Sequence, residues 1–232
     1  MQQVPPDFFD VIIYVITFGL PATLLLTLFG LIVGLVFGTL LALARVYGSR
    51  PLQVFADIYV KTLQGIPLLV LLVLFGIGLS FLFTWAGPGL SGMFAAAVFC
   101  LGIRSAAYQS QIFRGAIESI DPGQLLAAKA VGMNNFQARR HIILPQAFRL
   151  SLPAWSNEYA VVIKDTSLAI ALGIPEMMKV SFDIVANIPA VFFVVMIAVT
   201  VIYFCFTYPV THFLGEYMTK RLRDLGLGGG KF

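Results

Sequence analysis

The chain has 232 residues, 59% of them hydrophobic and 11% charged, with a mean hydropathy of +0.92 and a formal net charge of +4. This composition excludes an ordinary water-soluble domain and indicates an all-α integral membrane protein with several spans. Two isolated Cys, two isolated His and no phosphate-binding glycine loop leave no pattern for a metal, a catalytic thiol or a nucleotide, so any ATP hydrolysis coupled to this chain belongs to another subunit.

Residues 8–18, aromatic and β-branched behind Asp7 and Asp10, read as a segment lying at the membrane interface. No basic region or small-residue cleavage site precedes them, so a removable signal peptide is not expected. A hydrocarbon core of about 30 Å needs about 20 apolar residues. Such runs are expected to cross at 20–45, 67–83, 92–113, 148–172 and 190–213. Within the first, Gly30, Gly34 and Gly38 share one helix face and suit close helix packing. An amphipathic stretch, 53–63, then leads through Gly65-Ile66-Pro67 into the second crossing, with proline suited to a helix start. Cys100 and Cys205 lie within apolar runs and read as packing residues.

The third crossing ends in the one long polar island of the chain, residues 119–145. Asp121 suits an N-cap and Pro122 a first turn, 125–130 are good helix formers, and Gly132 can end the helix before Asn134 or Asn135 caps a second. A membrane protein that keeps such an element outside the bilayer presents it to a soluble partner. Arg45, Arg50 and Lys61 follow the first crossing, Lys129, Arg139 and Arg140 the third, and Lys220, Arg221, Arg223 and Lys231 the fifth. The positive-inside bias therefore places these segments in the cytoplasm, the N-terminus outside and the C-terminus inside. It also accounts for the net charge, so no nucleic-acid partner is expected. The tail Gly228-Gly229-Gly230 reads as a linker.

Ionisable residues inside spans are costly in lipid and must face protein or water. Four stand out: Arg104, Glu158, Lys164 and Asp165. At 1.5 Å per residue, Arg104 lies about 18 Å from the outer end of the third crossing and Glu158 about 15 Å from the inner end of the fourth. Glu158 and Asp165 share a face that Lys164 does not. The stripe is either a substrate passage or a buried Arg104–Glu158 ion pair that fixes helix register, and the two are compatible.

Ordered blocks spanning nearly the whole chain resemble the permease subunits of ABC importers for polar amino acids, the histidine, arginine and glutamine group. They are Thr23-Leu24 with Gly34 and Gly38, Gly65-Ile66-Pro67-Leu68-Leu69, Ala107-Tyr108 with Gln111 and Arg114, Gly123-Gln124 with Ala127, Ala128, Ala130 and Gly132, Leu144-Pro145-Gln146-Ala147, Leu152-Pro153 with Asn157, and Lys164-Asp165-Thr166-Ser167-Leu168. The resemblance implies a type I importer-like bundle of about five crossings in the cell membrane, the whole chain forming one permease domain with a cytoplasmic coupling segment at 119–145. It also implies two ATPase subunits per complex that hold ATP and magnesium, a second permease and an extracytoplasmic amino acid binding protein. No cofactor is expected on this chain itself.

The implied coupling residues are Gly123, Gln124, Leu125, Leu126, Ala127, Ala128, Ala130 and Gly132, braced by 135–141. The implied pathway residues are Arg104, Asn157, Glu158, Asp165, Thr166 and Ser167. Two departures stand out: the acidic position of the coupling signature is Leu126, and a frequent Glu of the third crossing is Gln111. Both favour a heterodimer whose other permease keeps the standard loop over a homodimer with an altered contact, and docking by shape and apolar contact. The carboxylates could receive an ammonium or cationic side chain and Arg104 a carboxylate, which implies a zwitterionic or basic L-amino acid. A secondary carrier coupled to ions could use the same charges, although no inverted repeat is apparent. An integral membrane enzyme would need a clustered catalytic set at one face, and none is visible.

Overall fold

The computed structural model describes residues 7–224, which form helices and connecting turns with no strand among them. The expected linker 228–230 and Lys231 lie outside the described residues.

Helix α1 (Phe8–Phe18) leads through Gly19 into α2 (Leu20–Tyr47), whose 28 residues extend about 42 Å, longer than the hydrocarbon core. The bundle is organised by α2 against α5 (Leu90–Glu118), and the glycine stripe is the reason they approach so closely. A Cβ at Gly34 would lie 2.5 Å from the Gln109 amide nitrogen and 2.7 Å from the Ser105 hydroxyl, and one at Gly38 2.8 Å from the Gln109 Cβ. No side chain fits there. Cys100 is buried and lends its thiol to the Leu71 carbonyl, as a packing residue would, whereas Cys205 is exposed.

The second expected crossing takes a different form. Helix α3 (Arg50–Gly65) is amphipathic and is bent by 98° from the next helical run, Leu68–Gly78, which comprises α4 (Leu68–Val73) and a π-turn. Pro67 precedes α4 and lacks the amide that a continuous helix would need. The eleven residues of 68–78 extend only about 16 Å, so this region is a broken span or a re-entrant loop rather than one straight crossing.

Among the described residues, three helices are long and apolar enough to cross alone: Leu20–Tyr47, Leu90–Glu118 and the run Pro189–Arg221, which contains α10 (Phe192–Val210). The bent pair brings the number to four. The fourth expected crossing corresponds to α8 (Leu144–Asp165) with a 3-10 extension to Leu172. It is too polar to be counted among these by composition, because it packs its charges against α5. Between these runs, α9 (Met177–Asn187) is pinned by its N-cap, Glu176, which is fully buried and accepts from the Met178 and Lys179 amides and the Tyr203 hydroxyl. Burial pushes the Glu176 carboxyl up to about 7, although those three donors lower it.

Outside the bundle, α6 (Pro122–Ala130) and α7 (Asn135–Ala138) form the expected pair of short helices. Asp121 caps α6 by accepting from the Gly123 amide. Asn134 and Gln137 form a capping box on α7. Gly132 separates the two helices at φ +86°, a conformation that favours glycine.

Candidate functional site

Arg104, on α5, pairs with Asp165 at the end of α8 and not with Glu158. The expected Arg104–Glu158 pair is therefore corrected: the last turn of α8 brings Asp165 to the guanidinium, which also lies 5.0 Å from the Tyr108 ring. Glu158 is 5% exposed and accepts from the Ser105 hydroxyl at 2.7 Å. Ser105 in turn accepts from the Gln109 amide, which also donates to the Leu31 carbonyl, and the Gln109 carbonyl accepts from the Trp155 indole at 3.0 Å. The chain Trp155–Gln109–Ser105–Glu158 begins and ends on α8, passes through α5 and touches α2. Every buried polar group named in it has a partner.

Thr166 is buried and donates to the Ile163 carbonyl, and Ser167 donates to that of Lys164, so both hydroxyls serve the 3-10 turn that ends α8. Lys164 is exposed, on another face, as its sequence offset from Glu158 and Asp165 requires. Asn157 differs from the other candidates. It is exposed and lines a groove of about 1080 Å³ between α8 and the π-turn Thr211–Tyr217 that follows α10, together with Thr211, His212 and Glu216. The six pathway residues thus divide between the α5–α8 junction and this groove.

His212 is not isolated, as its sequence context suggested. Its Nδ1 lies 2.9 Å from the Glu216 carboxylate, and its ring stacks on Tyr208. The i,i+4 spacing of His212 and Glu216 and the i,i+3 spacing of Trp155 and Glu158 were the available signals, but neither shows which way a helix turns. Ser105 and Gln109, also one turn apart, were missed because neither is ionisable.

On the coupling segment, Ala128 is buried against the rest of the segment while Gly123, Gln124, Leu126, Ala127, Ala130 and Gly132 are exposed and Leu125 is half-buried. Leu126, Val131 and Phe136 are exposed large apolar side chains on one small protrusion. Such a cluster marks an interaction surface. Arg139 stacks 4.1 Å over Tyr47, tying the segment to the end of α2. Gln111, at the position of the frequent Glu, donates to Gln64 at 2.7 Å and joins α5 to α3 by a neutral bond. Among the described residues, no group of three or more His, Cys, Asp or Glu could hold a metal ion.

The sequence matches the family of binding-protein-dependent transport system inner membrane components over residues 34–224. It is 42% identical over 161 residues to the probable amino-acid permease protein YxeN of Bacillus subtilis (strain 168), covering 68% of this chain and 70% of that protein. It is 34% identical over 171 residues to the histidine/lysine/arginine/ornithine transport system permease protein HisM of Escherichia coli (strain K12), covering 72% of each. A chain from the crystal structure of an amino acid ABC transporter with histidines superposes with a TM-score of 0.77 at 30% identity, covering 93% of this chain and 99% of that one.

Proposed function

The chain belongs to the family of binding-protein-dependent transport system inner membrane components, and from that premise we propose that it forms part of the translocation path of an importer for basic and other polar amino acids. It is a multi-pass membrane protein and a transport subunit. Membership of the family implies ATPase, binding-protein and second-permease partners.

The observation that carries the reading is the capped pair α6–α7, which holds three large apolar side chains outside a bundle whose Arg104–Asp165 pair is turned inward. A separate ATPase grips this segment, and its closure on ATP rocks the permease pair between inward and outward openings. With Leu126 at the acidic position, docking proceeds by apolar contact. The missing carboxylates at Leu126 and Gln111 favour a heterodimer. The substrate class is supported by the relatives' names, HisM above all. Of the six pathway candidates, Asn157 faces open space and meets the substrate, whereas Arg104, Glu158, Asp165, Thr166 and Ser167 hold the α5–α8 junction in register.

Purification and uptake test the reading. The chain should co-purify with an ATPase subunit, and a substitution in that subunit's ATP site should abolish arginine uptake. Uptake driven by a proton gradient with this chain alone would overturn it. Gly132→Leu, which strains a residue at φ +86°, should leave ATP hydrolysis running while uptake falls, and normal coupling in that variant would count against the docking role.

A further inference from the structure

The most apolar 18-residue stretch of the run Pro189–Arg221 has a mean hydropathy of 2.6, whereas the last third of the run carries Thr211, His212, Glu216, Thr219 and Lys220 on the face that lines the α8 groove. These groups lie at and beyond the inner end of the expected crossing 190–213, where side chains meet water or protein rather than hydrocarbon. The backbone is built for this. Pro209 removes an amide from the helix ladder, and Thr211–Tyr217 follow as a π-turn, a distortion common at functional sites. Gly215 lies against α8, where a Cβ would sit 3.2 Å from the Ser156 hydroxyl, and so Glu216 comes to line the same groove as Asn157.

The direction of the groove follows from the antiparallel pairing of the two helices. Ser156 faces Gly215, and Tyr159 donates to the Phe206 carbonyl, so the groove, lined by Pro153, Ala154 and Asn157, lies on the N-terminal side of that contact, towards the end of α8 where the coupling segment lies. Its polar groups are two kinds of partner for an amino acid. The Glu216 carboxylate and the Asn157 amide carbonyl accept from an ammonium or guanidinium, while His212 and Lys220 donate to a carboxylate.

We propose that this groove, centred on Glu216, His212 and Asn157, is a contact site for amino acids with a cationic side chain on the coupling-segment side of the pathway. It rests on the importer reading above and adds the discriminating group, a carboxylate outside the buried charge cluster. His212 holds Glu216 in position and is displaced when the cation arrives.

The test uses the complete transporter, with its ATPase and binding protein, in proteoliposomes. Glu216→Gln should lower the turnover of saturating arginine about tenfold, the scale of one lost charge-assisted bond, while glutamine turnover changes less than about twofold. Glu216→Asp should restore much of the difference. Equal effects on both substrates, or none, would overturn the proposal. If the Gln variant does not assemble, Asn157→Cys in a Cys205→Ser background keeps the question open to measurement, since the remaining Cys100 is buried. A cationic methanethiosulfonate should label it, and arginine but not glutamine should protect it. Failure to label or to be protected would overturn the proposal. A wild-type complex that imports neither arginine nor lysine refutes the importer's substrate class instead, before any groove variant is made.

Discussion

Helix α8 has two faces that look alike in sequence and behave differently in the bundle. The face carrying Trp155, Glu158 and Asp165 is closed: its groups are bound to Ser105, Gln109 and Arg104 of α5, and Glu158 is 5% exposed. The face carrying Pro153, Ala154 and Asn157 is open onto a large groove that it shares with His212 and Glu216. A charge placed deep in a span therefore does not by itself mark a substrate contact. Satisfied by neighbours, it fixes how two helices meet. Left facing space, even an uncharged amide is available to a ligand.

The comparison can be broken most severely from α2. Gly34→Val places side-chain atoms where Gln109 and Ser105 now sit, so it disrupts the closed network from outside. Overpacking of this kind should destabilise the protein by about 3 kcal/mol, and the variant should be recovered at low yield as aggregate on size-exclusion chromatography. Recovery of a normally folded Gly34→Val complex would mean that the network is looser than its geometry indicates.

Arg104→Ala comes next. It leaves Asp165 without its guanidinium partner in a position where the two side chains are 19% and 21% exposed, and an uncompensated charge there should cost about 2–3 kcal/mol of stability. Adding Asp165→Asn should recover much of the loss in a thermal unfolding assay, because it removes the orphaned charge. No recovery would assign Arg104 a role beyond the pair. The open face should respond least. Asn157→Ala removes a group with no hydrogen-bond partner among the described residues, so unfolding should shift by less than about 0.5 kcal/mol while the uptake rate falls.

Much of the architecture was legible from residue order. The glycine stripe of α2, the caps Asp121 and Asn134 and the break at Gly132 each follow from local chemistry that does not depend on the rest of the fold. The second crossing was not legible as drawn, because hydropathy registers apolar length and is blind to the 98° bend that Pro67 and its neighbours introduce. The site was half legible. The positions of Arg104, Glu158 and Asp165 near mid-span could be counted along the helices, but their partners depend on how α5 and α8 rotate against each other. That rotation exchanged Glu158 for Asp165 as the mate of Arg104. Ser105 and Gln109 carry no charge and so gave no warning, and the pairing of His212 with Glu216 became meaningful only once α10 was seen to carry a π-turn beside Asn157.

The most direct test of this division is the ratio of lysine to glutamine uptake in a Glu158→Gln transporter. If Glu158 only holds α8 against α5, both rates fall together and the ratio stays at its wild-type value. Selective loss of lysine uptake, with glutamine uptake and assembly intact, would show that the buried carboxylate meets the substrate and would contradict the account.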